Sequence, residues 1–236
     1  MSNKAPRAGF YKKRLLKNFY CDHRREDKMT DSGRGILTIV SGFAGSGKGT
    51  VMNKLISEHD NYALSVSATS RTPRPGEEEG KSYFFKTREQ FEDMIANDLL
   101  LEHAEYVGNY YGTPKDFVFA MMDAGKDVIL EIEVQGAMQV KKKYPDTLLI
   151  FLTPPNADEI YRRLKGRGAE TDEVIARRMK RAYEETDFIK DYDFLVINDN
   201  IDDCTARVHD IIQSAHHTVA HESAVINKLI AGLKKY

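Results

Sequence analysis

Four short runs of the chain are almost wholly apolar, and helical patterns lie between them. GILTIVSG at residues 35–42, DVILEIEVQG at 127–136, TLLIFLTPP at 147–155 and DFLVIND at 193–199 have the composition of buried strands. VMNKLISEH, KDFVFAMMDAG, AMQVKKKY, ADEIYRRLKG and DEVIARRMKRAYEE place apolar residues at helical spacing, and two more helical segments follow residue 200. Apolar strands that alternate with helices predict an α/β fold, a parallel sheet covered on both faces. The rhythm breaks over residues 66–114. There SYFFKT and LLLEHAEYVGNYYG flank one short helix, REQFEDMIAND, which predicts an inserted lobe. The core is then expected at 35–65 and 115–236.

Composition narrows the class. Among 236 residues, 41% are hydrophobic and 30% charged, the range of a soluble globular protein. No apolar run approaches the roughly 18 residues of a membrane span, and no signal peptide is expected. Two cysteines, Cys21 and Cys204, make no disulfide framework, so a cytoplasmic location is expected. The seven histidines show no metal-ligand spacing.

The net charge of -1 conceals an asymmetry. Residues 1–34 hold ten Lys/Arg and four Asp/Glu; the rest holds 25 and 32. This basic head reads as a poorly ordered extension, and Met29 would serve well as a protein start. LLKNFY within it could form a short amphipathic turn. The rival reading is a nucleic-acid-binding arm, but nucleic acid is not the expected partner.

GFAGSGKGT carries the first chemistry. Gly42, Gly47 and Lys48 fit the G-x-x-x-x-G-K spacing of a P-loop, with a predicted strand before it and a predicted helix after it. Glycines let the backbone N–H groups turn inward on a phosphate, and the helix N-terminus adds partial positive charge. Gly42, Phe43, Ala44, Gly45, Ser46, Gly47, Lys48, Gly49 and Thr50 are therefore expected around the phosphates of ATP. The usual hydroxyl after the lysine is replaced by Gly49, and Thr50 comes one residue later. This form resembles nucleoside monophosphate kinases and leaves open whether Thr50 meets Mg2+ directly or through water. Glu131 and Glu133 alternate with Leu130 and Ile132, so on a strand they share a face. Glu131 is the stronger candidate for holding water on Mg2+.

The acceptor is read from TSRTPRPGEEEGKSYFF, residues 69–85. Arg71 and Arg74 stand in a loop stiffened by Pro73, and two guanidiniums held close suit a phosphate monoester. Tyr83 offers a phenolic donor. Ser67 lies just upstream; Glu102, Tyr111 and Thr113 lie downstream. The pattern T-S-R-x-x-R-x-x-E-x-x-G-x-x-Y-x-F from Thr69 to Phe85 resembles the guanylate kinase signature at every fixed position. GNYYGTP, ILEIEVQG and RLKGRGAETDEVIARRM resemble three further blocks in the same order, and the likeness covers roughly residues 35–220.

The resemblance implies roles. Arg71, Arg74, Tyr83 and Tyr111 would bind the phosphate of GMP. Ser67, Glu102 and Thr113 would read guanine, whose adjacent N1–H and N2–H2 donors suit an ionised carboxylate. Glu77 and Glu131 complete the GMP set, Glu77 by ordering the arginine loop; Glu78 and Glu79 read as a solvated acidic run. Arg163, Arg167 and Arg178 would act with Lys48 in catalysis from a lid at about 163–178, leaving Arg162, Arg177, Lys180 and Arg181 solvated. Asn198 would lie near the adenine of ATP. The expected protein is a P-loop kinase of GMP and dGMP with an inserted mixed α/β GMP-binding lobe and a small helical lid. Its partners are ATP and GMP, and a homo-oligomer stays open. The alternatives are a ribose 1,5-bisphosphate kinase-like enzyme and a non-catalytic interaction module.

Overall fold

The computed structural model describes residues 33–166 and 171–236. Residues 1–32 and Arg167 lie outside that range. The chain begins with β1 (Leu37–Gly42), α1 (Lys48–Glu58) and β2 (Tyr62–Leu64). The lobe follows as β3 (Ala68–Thr69), β4 (Phe84–Phe85), α2 (Arg88–Ala96), β5 (Leu100–Tyr106) and β6 (Asn109–Pro114). Then come α3 (Lys115–Asp123), β7 (Asp127–Leu130), α4 (Val134–Lys143), β8 (Leu148–Thr153), α5 (Ala157–Lys165) and α6 (Asp172–Glu185). A 3-10 turn (Thr186–Asp191), β9 (Phe194–Ile197), α7 (Ile201–Ala215) and α8 (Ser223–Leu233) finish the chain.

Five strands form a wholly parallel sheet in the order β2-β7-β1-β8-β9. The central strands β7, β1 and β8 are buried almost throughout because both faces are covered, but the expected burial fails at the edge strand β9, where Phe194, Leu195 and Ile197 are exposed. In β1 and β8, alternate residues serve opposite layers. Val40, Ile150 and Leu152 pack with Val51, Leu55, Val208 and Ile212 of α1 and α7. Leu37, Ile39 and Leu149 pack with Val118, Met122, Ala137 and Val140 of α3 and α4. A third cluster, around Phe43, Phe151, Ile160, Leu164 and Ile175, joins α5 and α6 to the carboxyl end of the sheet. β2 was not expected: three residues are too few to show a period.

The lobe has its own sheet, in the order β4-β3-β6-β5, with β3 and β4 parallel and the other pairs antiparallel. Its core is small: Ala68, Phe91 and Leu100, with Phe84 and Tyr110 against them. α2 starts with a capping box, Thr87 accepting from Gln90 N–H while the Gln90 side chain accepts from Thr87 N–H. Glu79, expected in a solvated run, is exposed, and it also accepts from Phe85 N–H at 2.8 Å, which secures β4.

The strand expected over residues 127–136 ends at Leu130. Glu133 already caps α4, whose first turn buries Val134 and Ala137. The alternation of Leu130 to Glu133 imitates a strand, but the helical spacing of Val134, Ala137 and Val140 wins through packing on the sheet.

At the amino-terminal end of the sheet, buried Asp127 accepts from Ile36 N–H at 2.8 Å, Asn61 Nδ2 at 3.0 Å and Gln213 Nε2 at 3.1 Å. His216 Nε2 lies 2.8 Å from the same carboxylate. One buried acid thus ties β1, β2 and α7 together. Beside it, Tyr62 Oη meets His209 Nδ1 at 2.8 Å, and the rings of His59 and His209 stack with centroids 3.8 Å apart.

Candidate active site

At the carboxyl end of β1 the chain turns sharply through Gly42 and Gly47. Gly47 has φ +86°, and a Cβ there would stand 2.5 Å from Asn198 Nδ2. A Cβ at Gly42 would stand 2.0 Å from Leu152 O. Both positions therefore require glycine. The loop opens on a cavity of about 490 Å³ lined by residues 43–50 together with Asn53, Glu131, Glu133 and Arg178. Lys48 Nζ donates to Gly42 O at 2.6 Å and folds back over its own loop. Thr50 stands exposed in the first turn of α1.

Glu131 faces this cavity from the turn after β7. Although Glu131 stays exposed to solvent, partial loss of water at the cavity wall pushes its carboxyl up from the ordinary value, and the Lys48 ammonium opposes that. A Cβ at Gly49 would find ordinary contact, 3.9 Å from Glu131 Oε2. Gly49 is thus not required by crowding. Glu133 accepts from Arg181 Nη2 at 3.2 Å, and Arg181 Nε donates to buried Glu185 at 3.0 Å. Arg181, expected to be solvated, is half-exposed and also connects α6 to the acidic turn.

A second cavity of about 410 Å³ opens on the other side of the loop, lined by Gly45, Gly47, Thr50, Arg163, Asn198, Asp199 and Ile201. Asn198 is buried there and donates to Ser46 O at 2.8 Å, bracing the loop. Arg163 donates to Asn198 O at 2.8 Å and to Glu159 Oε1 at 2.6 Å. Arg162 and Arg163 hold the Glu159 carboxyl down at about 2. Arg163 and Arg178 therefore border different cavities.

In the lobe, Glu77 accepts two bonds from Arg71 Nη2, at 2.7 and 3.0 Å, and one from Arg74 N–H at 2.8 Å. The Arg71 guanidinium, then the Arg74 N–H, hold the Glu77 carboxyl low. Arg71 also lies over the Tyr83 ring, 5.5 Å from its centroid, and Tyr83 packs edge-on against Tyr111 at 6.1 Å. Four of the expected residues therefore form one cluster. Arg74 is exposed and Ser67 half-buried at the start of β3.

Glu102 sits where the β5–β6 register slips by one residue, between the pairs Leu100–Pro114 and His103–Gly112. Such a bulge re-aims a side chain. The Glu102 carboxylate is buried and accepts from Thr113 Oγ1 at 2.7 Å. Burial pushes its carboxyl up, and the bonds from Thr113 oppose that. Across from it is Gly136 of α4, where a Cβ would stand 3.1 Å from Glu102 Oε2. The first turn of α4 therefore joins the two halves of the site, with Glu133 at the phosphate loop and Gly136 against the buried acid.

A sequence model of the guanylate kinase family matches residues 34–215. The chain belongs to the guanylate kinase family. The guanylate kinase of Lactococcus lactis is 52% identical over 186 residues, covering 79% of this chain and 91% of its relative. That of Streptococcus thermophilus is 51% identical over 189 residues, 80% and 90% of the two chains. The crystal structure of guanylate kinase from Anaplasma phagocytophilum superposes with TM-score 0.63 at 30% identity, covering 80% of this chain and 90% of that one. The P-loop spacing in the sequence led to the phosphate loop, and the guanylate kinase motifs to the arginine loop and Glu102. They did not lead to Asn53, Glu159, Arg181 or Gly136. Glu159 and Arg181 had local signals: Glu159 stands three and four residues from Arg162 and Arg163, and Arg181 four residues from Glu185.

Proposed function

We propose that the protein transfers the γ-phosphoryl group of ATP to GMP, and to dGMP, giving ADP and the nucleoside diphosphate. The observation that carries this is the buried Glu102 carboxylate, held by Thr113 in a lobe that also presents the Arg71–Glu77 pair. A phosphate reader and a base reader then share one acceptor site. Guanine supplies two adjacent donors that an ionised carboxylate pairs; adenine would leave that buried acid unpaired.

In this scheme Arg71, Arg74, Tyr83 and Tyr111 hold the GMP phosphate, and Glu77 keeps Arg71 aimed. Ser67, Glu102 and Thr113 read the base. The loop from Gly42 to Thr50 wraps the ATP phosphates with backbone N–H groups, and Asn198 and Arg163 border the nucleoside side. A GMP phosphate oxygen attacks the γ-phosphorus, and its bond to the β,γ-bridging oxygen breaks in line. Lys48, Arg163, Arg167 and Arg178 stabilise the charge that spreads over the phosphoryl oxygens. No covalent enzyme intermediate is needed; the chain supplies alignment and a water-poor cleft.

Among the described residues no group of three His, Cys, Asp or Glu is arranged to hold a metal ion. The donor set instead fits Mg2+ carried largely by the phosphates of ATP: the Thr50 hydroxyl and the Glu131 carboxylate share the loop cavity. These two would hold it, Glu131 through water, and the ion would supply charge neutralisation at the β- and γ-oxygens. A cytoplasmic setting suits these substrates, and no described helix is long and apolar enough to cross a membrane.

The test is ADP release with ATP and Mg2+, offering GMP, dGMP, AMP and ribose 1,5-bisphosphate in turn. GMP and dGMP are expected to turn over and AMP hardly at all. Turnover with the sugar phosphate alone would overturn the acceptor assignment. Tight GMP binding without turnover would make the protein an interaction module.

A further inference from the structure

α8 stands apart from everything the proposed reaction uses. It lies beyond residue 215, where the family match ends, and none of its residues lines either cavity. No α8 residue is buried. Val225, Leu229, Ile230 and Leu233 are 45%, 61%, 47% and 69% exposed. At 3.6 residues per turn, these four and Ile226 share an arc of about 140°. Lys228, Lys234 and Lys235 fall outside that arc, and residues 223–236 contain no Asp or Glu. Tyr236, wholly exposed, ends the chain.

Position matters as much as pattern. His216 bonds to Asp127 at the start of β7, and His221 Nε2 lies 3.1 Å from Arg34 O, ahead of β1. The turn that leads into α8 is therefore fixed at the amino-terminal end of the sheet, whereas the phosphate loop and Glu131 lie at the carboxyl end.

Charge and size choose among occupants. A helix of 11 residues is about 16 Å long and presents one narrow face. Pairing with a second α8 would bury far less than the ~1,000 Å² of a specific dimer. Residues 1–32 carry nine Lys/Arg and four Asp/Glu, the same sign as α8, which disfavours them as the cover. An anionic lipid surface satisfies both features: it takes the aliphatic face at the headgroup boundary and pairs with the lysines. We propose that α8 is an interfacial helix that docks the enzyme reversibly on anionic membranes.

The test uses the full-length protein with phosphatidylcholine vesicles, with and without phosphatidylglycerol, in a flotation assay. Binding is expected only to the anionic vesicles, falling as salt rises. The double variant Leu229→Asp/Leu233→Asp should weaken it ~tenfold or more, because the apolar face is lost. Lys228→Glu/Lys234→Glu should weaken it too. Turnover of GMP by both variants in free solution should match the parent, which also shows that they fold. No binding to either vesicle overturns the proposal. So does anionic binding that the α8 variants leave unchanged, which would assign it to another basic segment. A dimer dissolved by Leu229→Asp/Leu233→Asp, without lipid binding, would make a second copy the occupant.

Discussion

At Glu102 the fold buries an ionisable group and gives it one hydroxyl donor, so the carboxylate has capacity left for a ligand. Glu102→Gln replaces an acceptor pair with one acceptor and one donor. It is expected to cut kcat/KM for GMP roughly 10²-fold, about 3 kcal/mol, while kcat/KM for ATP changes little. Because burial raises the Glu102 pKa, part of the free enzyme carries it protonated somewhat above the ordinary carboxylate range. GMP pairs with the ionised form, so the KM for GMP should fall as pH rises through that raised value. A KM for GMP that stays flat as pH falls through the carboxylate range would mean that Glu102 does not meet the base. Glu102 was legible in the sequence through its motif. The bulge that aims it and the Gly136 backbone that leaves it room were not. Both depend on how β5 approaches α4, a tertiary contact with no local signature.

Among the elements, the phosphate loop is the most legible, since strand, glycines and helix follow one another in the chain. The reason for Gly47 is not local: Asn198, 151 positions away, braces the loop. Gly47→Ala is expected to cost about 1–3 kcal/mol from positive φ alone, with further loss from the clash on Asn198. Thermal unfolding and the KM for ATP would register both. The α1–α7 contact makes a second prediction. Burial first, and then stacked His59, lower the pKa of His209 below 6.5, with Asp210 and Asp127 opposing. The folded state favours neutral His209, so its contribution is complete above pH 6.5 and is lost as pH falls through the lower folded value. Melting temperature should therefore decline on acidification before most carboxylates titrate, and His209→Gln should flatten that segment of the curve. Neither histidine announced itself in the sequence, because α1 and α7 meet only in the packed fold.

For the whole molecule, the alternation of apolar runs and helices was enough to give the parallel sheet, and a second sheet of four strands lies where that rhythm breaks. Composition located each long strand, but not the end of β7 at Leu130 and not the strand order. The lobe meets the core along β5 and α4, where His103 and Gln139 exchange two long bonds, 3.4 and 3.3 Å. Leu101 of β5 is buried in the same cluster as Ala137 and Val140 of α4, so any rotation of the lobe pivots about this packed seam. Small-angle scattering should show the radius of gyration falling when GMP and an unreactive ATP analogue are both present, and less with either alone. Unchanged scattering would argue for a rigid cleft. The sheet order β2-β7-β1-β8-β9 contains no strand of the lobe. The chain leaves the core after β2 and returns at α3, so the four-stranded sheet is one continuous run of residues. Under the roles proposed above, the phosphate loop and most acceptor contacts then belong to different stretches of the gene. The seam against α4, where Gly136 leaves room for Glu102, ties the two together, so a lobe exchanged between relatives would have to bring a β5 that fits this helix.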